Sequence, residues 1–295
     1  MLRRLLIFGA ALTVAACAAV TVDLPPITDA PSGAHDTGRV VWHDLLTTTP
    51  EESRRFYGEL FGWTFEEPGV ALGFGSADSY MLIRHNGRLI GGMFDARDVE
   101  AEGNVSQWVT IISTGDVDAA VERARSRSAE IVTPPTALAS RGRLAVLRDP
   151  QGALFALLTA NGGDPAAHDP DLNGFLWSEV WTSDVDRATE FYEAVLGVER
   201  EQREVEGTDS DYLLLASGDQ PRAGVLANPF DGERPVWVNY LRVADPAAVT
   251  ARVEALGGRI ILAAQPRNVG GTVAFIAGPS GAGIALQTWP LEDRP

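Results

Sequence analysis

The chain contains no lysine: its 24 basic residues are all arginine, against 40 Asp and Glu. Schiff-base and lysine general-base chemistry are thereby excluded. The net charge of −16 leaves no positive footprint for phosphate, which excludes a nucleic-acid partner and disfavours attraction to anionic lipid. Cysteine occurs once, at position 17, so no internal disulfide can form. Histidine occurs four times, and His35, His85 and His168 fall in segments that read as a tether, a hairpin turn and a linker. Only His43 lies in a stretch that reads as a core strand. There is no Cys–His pair and no serine-nucleophile elbow. Gly91-Gly92 and Gly270-Gly271 lack the strand–turn–helix setting of a phosphate loop.

What is present is a repetition. Trp42 and Trp177 are 135 residues apart, as are Phe56-Tyr57 and Phe191-Tyr192. Trp108 pairs with Trp237 and Gly152 with Gly281, both 129 apart. A period this long is too large for a solenoid and fits a duplicated globular domain. The 45% hydrophobic and 22% charged content is that of a globular chain able to build two cores.

Arg3 and Arg4 precede a short apolar run, Leu5 to Val14, and then Val14-Ala15-Ala16-Cys17. This resembles a bacterial lipoprotein signal, too short to be a membrane span. The resemblance implies a signal peptide over 1–16, lipidation of Cys17, and a membrane partner through that lipid anchor. With Ala18 following, it implies the outer membrane facing the periplasm of a Gram-negative envelope. Residues 17–37 are rich in Pro, Ala, Asp and Thr and read as a flexible tether.

The first copy, 38–160, opens with a strand over Val40–Thr47 and a helix entered at Pro50 and ended by Gly62. Short strands follow, two of them joined by a turn at His85-Asn86-Gly87. The plan restarts at Gln107, with a helix from Asp116 to about Ser128 and three more strands after it. A linker over 161–173 leads to the second copy, 174–291, which repeats the plan. Each copy is therefore β-α-β-β-β twice. With the FYxxxxG segments, the Asp-Val-Asp-Ala helix start at 116–119 and the Asp-Pro-Gln-Gly turn at 149–152, the chain resembles the vicinal oxygen chelate superfamily of glyoxalases, bleomycin-resistance proteins and extradiol dioxygenases. The resemblance implies an α+β fold of tandem domains. In each, two βαβββ units curl into a cup of mixed sheet with the site inside.

Catalytic members of that superfamily hold a divalent metal in the cup through His, Glu or Gln. The matching positions here are Trp42, Val109 and Ala156 in the first copy and Trp177, Val238 and Ala285 in the second. None can ligate a metal. No cofactor is therefore expected; a divalent metal stays as the alternative, with His43 its one candidate ligand should the register slip by one residue.

Strand alternation puts Trp42 and Asp44 on the cup side of the first strand, and Trp177, Glu179 and Trp181 on that of its counterpart. Gln107, Tyr240 and Gln287 share that phase, whereas Tyr80 and Tyr212 match between copies but cannot be oriented. Asp44 and Glu179 are read either as groups that orient a ligand or act as a base, or as carboxylates neutralised by an arginine such as Arg148. Trp42 and Trp177 either stack a flat ligand or fill the space a metal vacated. Trp108 and Trp237 fall on the opposite face and read as packing. Three functions stay open. One is an envelope lipoprotein binding a small apolar or aromatic molecule without metal. Another is a glyoxalase- or dioxygenase-type enzyme with unusual ligands. The last is a protein-interaction scaffold.

Overall fold

The computed structural model describes residues 24–68, 80–97, 99, 103–204, 211–230, 232–267 and 270–288. Cys17 and the signal-like segment lie outside them. Among the described residues no helix is long and apolar enough to cross a membrane.

The first copy runs β1 (Val40–Thr47), α1 (Pro50–Phe61), β2 (Thr64–Glu66), β3 (Tyr80–His85), β4 (Arg88–Asp95), β5 (Gln107–Ser113), α2 (Val117–Arg125), β6 (Glu130–Leu138), β7 (Gly142–Arg148) and β8 (Leu154–Ala160). The second runs β9 (Phe175–Thr182), α3 (Val185–Leu196), β10 (Glu199–Glu204), β11 (Asp211–Ser217), β12 (Gln220–Ala227), β13 (Val236–Arg242), α4 (Pro246–Val253), β14 (Arg259–Pro266), β15 (Thr272–Ala277) and β16 (Gly283–Gln287). The strands form two eight-stranded mixed sheets, ordered β2-β3-β4-β1-β5-β8-β7-β6 and β10-β11-β12-β9-β13-β16-β15-β14. The expected α+β tandem fold is what forms.

Local chemistry sets the helix ends. Asp116, Asp184 and Asp245 cap α2, α3 and α4, accepting hydrogen bonds from Ala119 N at 3.0 Å, Arg187 N at 3.1 Å and Ala247 N at 2.9 Å. Thr49, at the same place before α1, makes no side-chain cap bond; Pro50 and the acidic Glu51 and Glu52 start α1 instead. Gly62 and Gly197 close α1 and α3 in the left-handed conformation, at φ of 73° and 68°. α2 stops at Arg125, short of Ser128, because Ala129 N turns back to Ala124 O.

The helices lie between the two sheets, and the cores they build are shared. One core joins the second unit of the first copy (Val117, Val121, Leu147, Phe155) to the first unit of the second copy (Phe191, Val195, Leu215, Val225). The other joins Phe56, Leu60, Ile83 and Met93 to Leu241, Val253, Ile276 and Leu286. The repeated Phe-Tyr pair serves this contact. Tyr192 donates to Asp149 of the other copy at 2.9 Å and accepts from the indole of Trp237 at 2.9 Å. Tyr57 accepts from Trp108 at 3.1 Å and stands against Gly278, the residue matching Asp149. Trp108 and Trp237 are thus core, on the face away from the cups.

The segment expected to be a flexible tether is docked from Leu24 onward. Pro31 bridges Pro165, Ser32 N donates to Asp164 O at 2.9 Å, and Asp164 N donates to Ala34 O at 2.8 Å. Asp36 reaches the second domain through Arg222. Composition suggested freedom; the physical reason against it is that Leu24 and Ile27 bury their side chains.

Candidate functional site

Each sheet must curl. β3 and β7 are five places apart in the first sheet, which would separate them by about 24 Å if it were flat. Yet Arg141, in the turn before β7, donates to the hydroxyl of Tyr80 on β3 at 2.6 Å. The sheet closes into a cup around that contact, and the second sheet does the same through Arg267 and Tyr212.

At the centre of the first cup is Asp44, 5% exposed. Its Oδ1 accepts from the indole of Trp42 at 2.8 Å and from the hydroxyl of Tyr80 at 2.9 Å. Its Oδ2 faces Arg141 at 3.4 Å. The Arg141 guanidinium lies 5.2 Å from the ring centres of both Trp42 and Tyr80. Burial alone would lower the pKa of Arg141, but Tyr80 and Asp44 more than offset it and hold the cation charged. Burial pushes the Tyr80 phenol up, so it stays a hydrogen-bond donor.

The second cup is built alike. Glu179 is fully buried and accepts from Tyr212, Tyr240 and Arg267 in very short contacts, and from the indole of Trp181 at 3.1 Å. Arg267 also donates to Gln287 Oε1 at 2.7 Å and covers the Tyr240 ring at 4.9 Å. Trp177 donates to Tyr212 at 2.9 Å rather than to the carboxylate. Burial raises the Tyr212 and Tyr240 phenols well above their ordinary value.

A glycine makes each arrangement possible. Gly92 pairs with Asp44 across β4 and β1, and Gly224 with Glu179 across β12 and β9. A Cβ on Gly92 would stand 2.5 Å from Asp44 Oδ1 and overlap the Tyr80 hydroxyl; one on Gly224 would stand 2.8 Å from Tyr212 Cζ. The Gly91-Gly92 pair, which does not fit a phosphate loop, thus has a packing reason.

Of the expected site residues, the structure draws together Trp42 and Asp44 in one cup and Trp177, Glu179, Trp181 and Tyr240 in the other. Gln107 stays outside, its amide reaching only Val105 O at 3.5 Å. His43 points to the other face of β1 and stacks on Phe175 of the second domain, ring centres 3.6 Å apart. Burial lowers its pKa to about 3 against the opposing pull of the Ile90 backbone and the Asn239 amide. It is a neutral packing residue remote from Asp44's cup. Arg148 is not the neutralising arginine; it lies 3.6 Å from Glu130, and Arg141 and Arg267 do that work. Sequence reasoning missed both, because they do not match in the repeat. Arg141 directly precedes Gly142, whereas Arg267 stands four residues before the equivalent Gly271. The signal that could have been read was Tyr80 and Tyr212, matched between the copies, whose hydroxyls lie against Gly92 and Gly224.

The donor set does not fit the metal that the fold's catalytic relatives hold. The expected ligand positions, Val109, Ala156, Val238 and Ala285, are buried apolar wall in their cups. Each cup offers one carboxylate, already engaged by arginine and aromatic donors. Among the described residues no three His, Cys, Asp or Glu come together.

The family model described as Glyoxalase/Bleomycin resistance protein/Dioxygenase superfamily matches residues 39–157 and again 174–286. The chain belongs to that superfamily, in its tandem two-domain form. It is 30% identical over 243 residues to the "Putative glyoxylase CFP32" of Mycobacterium tuberculosis, covering 82% of this chain and 91% of that protein. It is 29% identical over 268 residues to the anthracycline biosynthesis protein DnrV of Streptomyces peucetius, covering 84% and 92%. Among solved structures, the Mn(II)-bound glyoxalase from Novosphingobium aromaticivorans superposes with a TM-score of 0.59 at 14% identity, covering 86% of this chain and 83% of that one, a likeness of fold.

Proposed function

We propose that this is a metal-independent small-molecule-binding protein of the cell envelope, and that its second cup is the working site. The observation that carries this is the wall of that cup. Trp181, Phe230 and Phe275 form an aromatic cluster with ring centres 5.3 to 6.1 Å apart, and Phe230, Phe275 and Trp177 remain partly exposed beside the neutralised Glu179–Arg267 pair. An apolar wall with a few convergent polar groups suits a flat, uncharged aromatic molecule. The name of DnrV, an anthracycline biosynthesis protein, makes polycyclic aromatic ketones the first ligands to try. Glu179 accepts four hydrogen bonds, which leaves no lone pair directed at a substrate proton and argues against a general base. The signal-like segment ending at Cys17 supports lipid anchoring, in the outer membrane facing the periplasm; Cys17→Ser should release the protein from the membrane fraction.

The test pairs two measurements on untagged protein. Tryptophan fluorescence should be quenched by a polycyclic aromatic ketone, and Trp181→Leu should weaken that quenching at least tenfold. Elemental analysis should find far less than one divalent ion per chain. A stoichiometric, tightly held ion would overturn the metal-free reading and favour a glyoxalase-type enzyme. No quenching by any polycyclic aromatic would leave the scaffold reading in its place.

A further inference from the structure

The first cup is occupied by the chain itself. Leu24 and Ile27 are 5% and 1% exposed, packed among Trp42, Tyr80, Val109 and Leu138 where a ligand would lie. Between them, the carbonyl of Pro25 accepts a hydrogen bond from Arg141 Nε at 2.9 Å. The arginine that neutralises Asp44 thus spends its remaining donor edge on a carbonyl brought in from elsewhere in the chain. In the second cup Arg267 engages Glu179 and Gln287, and among the described residues its Nε has no protein partner. Among the described residues no segment lies over it comparably.

We infer that the first cup is a second ligand site, for an uncharged molecule with an apolar body and one carbonyl acceptor, and that Leu24–Ile27 is its exchangeable resident. Three observations support exchange over permanent filling. The segment is not woven into the sheet: Pro25 and Pro26 have no N–H to give to a ladder, and among the described residues no backbone–backbone hydrogen bond ties 24–29 to the domain. The firm attachment begins only at Pro31, Ser32 and Gly33, so residues 28–30 can hinge while the rest stays docked. The latch across the hinge, Asp29 with Arg84 at 2.6 Å, is an exposed ion pair, a weak class of contact. A cup meant only as core would also do better with apolar residues than with a buried Asp–Arg–Tyr group.

The inference stands apart from what the second cup binds. Its test uses the full chain and the peptide N-acetyl-Leu-Pro-Pro-Ile-amide as probe. The double variant Leu24→Ser/Ile27→Ser should undock the segment, seen as faster cleavage there by a broad-specificity protease such as proteinase K, while near-UV circular dichroism keeps its folded form. Calorimetry should then find one peptide site per chain, at least tenfold tighter than in the wild type. Adding Arg141→Lys, which keeps the charge and loses the Nε donor, should weaken it at least tenfold. A folded, undocked variant that takes no peptide overturns the inference, and so does binding indifferent to Arg141→Lys. Should the double variant not fold, the wild type decides. Peptide on the order of 10 mM, matching the effective concentration of a tethered segment, should accelerate cleavage of the segment; an unchanged rate overturns the inference.

Discussion

The two cups share a plan and differ in how they complete it. Both set a carboxylate on the central strand, a tyrosine hydroxyl against a glycine, and an arginine arriving from the β6–β7 or β14–β15 turn. In the first cup, Trp42 reaches the carboxylate and Leu24, Pro25 and Ile27 close the space. In the second, Trp181 and Tyr240 reach the longer Glu179, Gln287 holds the arginine, and the aromatic wall stays partly exposed. The residues matching Tyr240, Gln287 and Trp181 in the first cup are Ile111, Leu158 and Leu46. The second cup thus satisfies its polar group from within its own domain, while the first borrows from the N-terminal segment.

Breaking the arginines should separate the cups most. Arg141→Ala leaves the buried Asp44 charge uncompensated and takes a donor from the Tyr80 hydroxyl; a loss of about 3–5 kcal/mol is expected from urea unfolding. Arg267→Ala should cost less, because Glu179 keeps Trp181, Tyr212 and Tyr240 as donors; equal losses would show that the docked segment does not matter to the first cup.

The next effect lies on the shared face, where His43 matches Ser178. His43 titrates near 6.5 when unfolded and near 3 when folded, so the fold favours its neutral form. Its contribution is fully present above about pH 6.5 and fades as the pH falls toward 3, at up to ~1.4 kcal/mol per pH unit. Urea midpoints of His43→Gln should fall less steeply between pH 6.5 and 4 than those of the wild type; parallel slopes would contradict a buried neutral imidazole.

Smaller still is Gly92→Ala, which forces Tyr80 away from Asp44 and should lower stability by about 1–3 kcal/mol. Gly224→Ala should do the same to Tyr212 and also disturb the aromatic-ketone site, which Gly92→Ala should leave intact. Trp177→Phe loses one indole bond to Tyr212 at a partly exposed place and should cost only about 1 kcal/mol by thermal unfolding.

The duplication, the helix starts at Asp116, Asp184 and Asp245, and the inward direction of Asp44 and Glu179 were legible because each depends on local spacing or strand alternation. The partners were not. Arg141 and Arg267 reach their carboxylates across three strand positions and their tyrosines across five, and they occupy unmatched places in the two copies, so neither alternation nor the repeat could point to them. The docking of 24–36 was hidden by composition: a stretch rich in proline and polar residues reads as tether, yet two apolar side chains and one carbonyl seat its start and backbone bonds to 162–164 seat the rest. The Phe-Tyr pairs were legible as a repeat, but their role between domains appears only once Tyr192 is seen to meet Asp149.

The shared cores carry a consequence for how such a chain can change. Two identical subunits meeting through this helix layer would receive every substitution in both cups at once. Joining them in one polypeptide removes that symmetry while each half still contributes to both shared cores. One cup can then take Leu24 and Ile27 from the N-terminal segment while its counterpart completes its polar group with Tyr240 and Gln287, a difference that no pair of identical subunits could encode.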